Sequence, residues 1–118
     1  MIIHYSIKYN NIHQSELIDR YIENHLSELN SVISNKDTFV QAQIELEKST
    51  CDQNNHEIYR AEINLHTTTD NFFITETDVD IFAAINKMCE ITVQNVRSRS
   101  EKLHNNLLKR EEEIKDIL

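Results

Sequence analysis

The 118-residue sequence contains no glycine, no proline and no tryptophan, and only two cysteines. Without glycine, the phosphate-cradling loops of nucleotide-using enzymes and the sharp turn that presents a nucleophilic serine are excluded, because each places backbone where a side chain cannot go. Turns must be made by asparagine and aspartate, which tolerate the left-handed region better than other residues that carry a side chain. Asn10-Asn11, Asn54-Asn55 and Asp70-Asn71 are the candidates. Cys51 lies in a polar stretch and Cys89 in a helical pattern, so neither a disulfide framework nor a CxxC metal knuckle is available. Two unpaired thiols suit a reducing compartment. No apolar run approaches the roughly 20 residues that cross a bilayer, and the residues after Met1 read as a strand rather than a leader. The expectation is a cytoplasmic protein with no membrane contact.

What is present is clean periodicity. Ile3, Tyr5, Ile7 and Tyr9 alternate with His4, Ser6 and Lys8, the period-two signature of a half-buried strand. Ser15 is placed to cap a helix whose stripe is Leu17, Ile18, Tyr21, Ile22, His25, Leu26, Leu29, Val32 and Ile33. Val40, Ala42, Ile44 and Leu46 then alternate with Gln41, Gln43, Glu45 and Glu47, and Tyr59, Ala61, Ile63 and Leu65 with Arg60, Glu62, Asn64 and His66. A polar tip from Thr67 to Asn71 leads into a fourth strand over Phe72 to Thr77, making a hairpin. Asp78 or Asp80 caps a last helix with its stripe on Ile81, Phe82, Ile85, Met88, Cys89, Val93 and Val96, continuing to Leu103.

The order β-α-β-β-β-α, with every strand apolar on one face only, predicts an α+β two-layer sandwich: a four-stranded sheet with two helices on one face. Residues 1–103 make the domain. Residues 104–118 make a helical extension, because a helix running from Asp80 to the end is longer than a small domain is wide. Leu107, Leu108, Ile114, Ile117 and Leu118 keep that extension amphipathic, which suits a frayed tail, a fold back onto the core, or self-association.

Catalytic chemistry finds little footing. The six histidines show no HExxH and no paired spacing, so surface histidine outweighs metal ligation, and Glu111, Glu112 and Glu113 point in different directions on a helix. Cys89 sits in an apolar stripe, and Cys51 has only His56 nearby as a base. No enzyme activity, metal, cofactor or small-molecule substrate is expected, which leaves binding. Residues 1–94 hold 6 Lys+Arg against 15 Asp+Glu, a net of −9, whereas residues 95–110 hold 5 against 1, a net of +4. A phosphate-bearing partner would concentrate on that stretch, at Arg97, Arg99, Lys102, Lys109 and Arg110; the plainer alternative is a basic helix end facing the charge run at Glu111.

Three local motifs, with the order of elements, carry a resemblance over residues 1–103. Asp80-Ile81-Phe82-Ala83-Ala84-Ile85 resembles the Asp-Met-Tyr-Ala-Ala-Ile that opens the second helix of the bacterial ribosome hibernation-promoting factors and ribosome-associated translation inhibitors. Tyr59 to His66 resembles their third strand, and Asn11-Ile12 with Ser15-Glu16 the approach to their first helix. The resemblance implies a stasis factor of the short form, with the small ribosomal subunit and rRNA as partners. In that family the domain lies in the mRNA and tRNA channel, held by basic side chains on phosphates. Lys102 falls on a family-like basic position, and Arg97 and Arg99 lie one residue from two others, while Asp19, Asn24, His25 and Glu28 replace basic positions of the first helix. Lys8 on the first strand joins the RNA-binding candidates. The alternative is an interaction module that kept the fold and lost rRNA binding, self-associating as a homo-oligomer through residues 104–118.

Overall fold

A computed structural model describes residues 3–33, 39–49 and 57–117, with side chains described to residue 99 and at Glu101. The order is β1 (Ile3–Asn10), α1 (Glu16–Val32), β2 (Val40–Ser49), β3 (Ile58–His66), β4 (Asn71–Asp78) and α2 (Ile81–Ile117). The expected α+β sandwich is what forms. The sheet runs β1-β2-β3-β4, with β1 parallel to β2 and the other pairs antiparallel. The parallel pair follows from α1, which carries the chain back across the sheet before β2 begins.

The alternating strands put Ile3, Val40, Ala42, Ile44, Leu46, Ala61, Ile63, Leu65 and Ile74 on one face, all buried. Helix α2 lies over β3 and β4, and α1 packs against β1 and α2. Ile18, Ile22, Leu26 and Leu29 of α1, with Ile33 just after it, meet Ile85, Met88, Cys89, Val93 and Val96 of α2 in the same core. Leu17, placed in the stripe by sequence, is 68% exposed. At 100° per residue it lies about 140° around the helix from Ile22, on the far side. The stripe of α2 instead gains Thr92, fully buried; its hydroxyl donates to the Met88 carbonyl at 2.7 Å, so a polar side chain sits in the core without an unmet hydrogen bond.

The turns are built without glycine. Asn11 takes φ 58°, in the left-handed region, between β1 and α1. The β3–β4 tip is closed by Thr67: its amide donates to the Asp70 carbonyl at 2.8 Å, and the Asp70 amide donates to its hydroxyl at 3.0 Å. The Asn54-Asn55 turn lies outside the described residues, as do Cys51 and His56. Asp80, rather than Asp78, caps α2, accepting from the Phe82 amide at 3.1 Å, while Asp78 accepts from the Asp80 amide. Ser15 holds the N-cap position of α1 with extended backbone, but its hydroxyl makes no cap hydrogen bond. Helix α2 continues unbroken to Ile117, in a molecule 67 Å along its longest axis. No helix among the described residues is long and apolar enough to cross a membrane.

Candidate nucleic-acid interface

A protein that meets phosphates needs cations whose charge is not already spent. Seven basic side chains fall among those described, and five face a carboxylate. Arg20 pairs with Glu16 at 2.8 Å, Lys48 with Glu57 at 2.8 Å and Lys87 with Asp78 at 2.6 Å. The Lys87 ammonium holds the Asp78 carboxyl below its ordinary range, and the Asp78 carboxylate raises Lys87 in return. Arg99 Nε donates to Asp70 Oδ2 at 3.2 Å. Only Lys8 and Arg97, among the described residues, are exposed cations with no carboxylate in reach.

The fifth, Arg60, organises the open face of the sheet. Cross-strand register sets Glu47 opposite Arg60 and Glu45 opposite Glu62. The guanidinium reaches Glu47 at 2.8 Å, Glu62 at 2.9 Å and Glu45 at 3.2 Å, while Asn10 donates to Glu45 at 2.5 Å. The hydrogen bond that Arg60 donates to Glu47, with the Glu62, Glu47 and Glu45 charges, raises the pKa of Arg60. Three carboxylates around one cation leave this face with an excess of negative charge. It is a poor surface for a nucleic-acid backbone.

Helix α1 is no better suited. Glu16, Asp19, Glu23 and Glu28 outnumber Arg20. Two of these carboxylates fasten the helix to β1: the Tyr9 hydroxyl donates to Asp19, and the Tyr5 hydroxyl to Glu23 at 2.5 Å. Burial first, then the hydrogen bond to Asp19, pushes the Tyr9 phenol well above 10.0; the Glu23 hydrogen bond raises Tyr5. The Tyr21 ring meets His25 edge-on at 4.8 Å and Phe82 at 5.1 Å, joining the second turn of α1 to the first turn of α2. Cys89 is buried, and desolvation pushes its thiol up to about 12. No group of three or more histidine, cysteine or acidic side chains among the described residues could hold a metal ion.

The sequence candidates therefore divide. Lys8 lies on the open face of edge strand β1, in register with Glu45, and Arg97 and Arg99 lie on α2 in the other layer. The structure does not bring Lys8 to them. Arg99 sits where α2 passes the β3–β4 tip, as the Asp70 contact marks, and Arg97 lies two residues earlier on the same helix. Lys102, Lys109 and Arg110 occupy the following part of the same helix, and their side chains lie outside the described set. At 100° per residue the positions 99, 102, 109 and 110 fall within an arc of about 100°, with position 97 about 160° from 99. Sequence reasoning named these residues without seeing that Asp70 engages one of them. Only the hairpin register and the length of α2 make that contact legible.

Comparison with known proteins joins the resemblance to the fold. The family model described as "Sigma 54 modulation protein / S30EA ribosomal protein" matches residues 5–104. The chain belongs to that family. The S30EA match runs from within β1 through α1 and the other three strands into α2 as far as residue 104, and it bears out the resemblance to ribosome hibernation factors drawn from Asp80 to Ile85, Tyr59 to His66 and the approach to α1. Among solved structures, the N-terminal domain of Protein Y from Thermus thermophilus aligns with a TM-score of 0.66 at 21% identity, covering 83% of this chain and 98% of that one. A ribosomal subunit interface protein from Coxiella burnetii aligns equally well, TM-score 0.66 over 83% and 98% of the two chains, at 8% identity. At such identities the likeness is one of fold. No curated protein is significantly similar to the chain in sequence.

Proposed function

We propose that this S30EA chain is a cytoplasmic ribosome-binding stasis factor that occupies the mRNA and tRNA channel of the small subunit and holds idle ribosomes out of translation. The observation that carries the reading is the family match over residues 5–104, joined to an α2 whose net-positive stretch includes Arg97, exposed and without a carboxylate. The contact is made by α2 from Arg97 to Arg110. The open sheet face and α1, with their acidic side chains, point away from phosphates. The work is done by occupancy, with no catalytic step: Cys89 is sealed in the core, and the loops that hold nucleotides in enzymes have no glycine to build them.

Sedimentation with purified ribosomal subunits tests it. The full chain is expected to travel with the small subunit at low salt and to be released as salt rises. Arg97→Glu with Arg99→Glu should weaken binding at least tenfold and flatten the salt dependence by roughly one unit of log–log slope per cation removed. A chain that stays at the top of the gradient at low salt, or a double variant that binds as before, overturns the proposal.

The unbroken run of α2 to Ile117 favours a second reading for the last residues. On this reading residues 1–103 form the binding domain. Residues 104–118 form a helical arm that pairs with a second copy of the chain.

A further inference from the structure

The Arg99–Asp70 contact lies within the surface proposed for rRNA, and its geometry bears on how that surface works. Asp70 is part of a closed tip. Its amide and carbonyl are both held by Thr67, and Thr69 donates to the same Oδ2 that receives Arg99 Nε. The carboxylate is therefore fixed by β3 and β4, while the guanidinium comes from α2 in the other layer. Its side chain is 22% exposed, against 48% for Arg99. A phosphate oxygen approaching Arg99 along its Nε–H direction meets a carboxylate oxygen already there.

We infer that Asp70 is a built-in competitor for phosphate: it occupies the Nε–H donor of Arg99 in the free protein, and RNA binding through that donor proceeds by exchange of the Asp70 carboxylate for a phosphate oxygen. The pattern extends what the other cations show, since Arg20, Lys48, Arg60 and Lys87 are also matched to carboxylates. Asp70 differs from those partners in where it sits. The others pair with cations outside the basic stretch of α2, whereas Asp70 pairs with Arg99 inside it. An exposed pair of this kind is weak enough to be exchanged. Asp70 thereby lowers the affinity of the surface and sets how much salt it tolerates.

The inference rests on the ribosome-binding reading, and two measurements separate their failures. With purified small subunits at low salt, Asp70→Asn is expected to bind about threefold tighter than the parent chain. In an Arg99→Ala background the same change is expected to do nothing, because a general change in surface charge would persist there and the loss of a specific competitor would not. Unchanged or weaker binding by Asp70→Asn, or a gain that survives Arg99→Ala, overturns the inference. The second measurement needs no ribosome. In the nitrogen-15-labelled full chain, the Arg99 Nε–H resonance is followed as tripolyphosphate is added. It should shift at lower tripolyphosphate concentration in Asp70→Asn than in the parent. A shift that occurs there while no subunit binds sinks the ribosome reading and leaves the competitor standing; equal midpoints in the two proteins sink the competitor.

Discussion

Tyr9 on β1 donates its hydroxyl to Asp19 on α1, so a carboxylate one turn into the helix anchors that helix to the edge strand. Tyr5 does the same for Glu23 one helical turn later. A phenol whose pKa is raised in the folded state contributes stability that is fully present below its unfolded value of 10.0 and is lost as pH rises through the folded value. Urea midpoints should therefore fall above pH 10. Tyr9→Phe should cost about 1 kcal/mol near neutral pH, and the gap between variant and parent should narrow as the pH passes 10. A gap that stays constant to high alkali would remove the hydrogen bond from this account. Absorbance titration offers a second check, with Tyr5 and Tyr9 ionising later than free tyrosine.

On the open face, Arg60 holds together three carboxylates that would otherwise repel one another across β2 and β3. Replacing it with Met, which keeps much of the apolar stem, should destabilise the fold by about 1–2 kcal/mol. Adding Glu62→Gln to that variant should recover part of the loss, because one of the unmatched charges is gone. Equilibrium urea unfolding of the parent, the single variant and the double variant reads both effects. Full stability in the single variant would mean that the cluster contributes only to surface character.

Cys89, buried with its thiol at about 12, should be unreactive in the native state. In a Cys51→Ser chain, modification by an aromatic disulfide reagent should proceed only as fast as the core opens, and urea should bring it to completion. Rapid reaction of the native protein would place Cys89 at the surface.

The helical arm is tested by size. Light scattering on the full chain and on a truncation after Leu103 should show a larger, concentration-dependent mass only for the full chain. Identical monomers at every concentration would leave the extension without a pairing role. Because the family match ends at residue 104, the shorter chain should unfold at nearly the same urea concentration.

The alternation of strand residues made the sheet legible, and the helical stripes supplied the two helices, because a one-sided sheet forces each apolar position toward the same layer. Leu17 misled because it follows the hydrophobic pattern in type while its angle points away from the core. Thr92 was missed for the opposite reason, a polar type at a central angle, and nothing short of its hydrogen bond to Met88 shows why it fits. For the interface, the sequence disclosed the sign of charge along the chain and the residues that bear it. It did not disclose their pairing. Asp70 is 29 residues from Arg99, Glu47 is 13 from Arg60, and both contacts depend on strand register and helix placement that no local pattern specifies. Lys8, in the same way, looked like one more cation until the layers separated it from α2.

The continuity of α2 also makes the arm a matter of phase. From Arg99 to Ile117 the helix rises roughly 27 Å, and the distal positions keep a fixed angular relation to the turns anchored on β3 and β4. One residue inserted after Leu103 would swing everything beyond it by about 100°, while seven would nearly restore the original direction and lengthen the arm by about 10 Å. Whatever the arm meets must then read direction as well as composition, and an insertion series would separate the two.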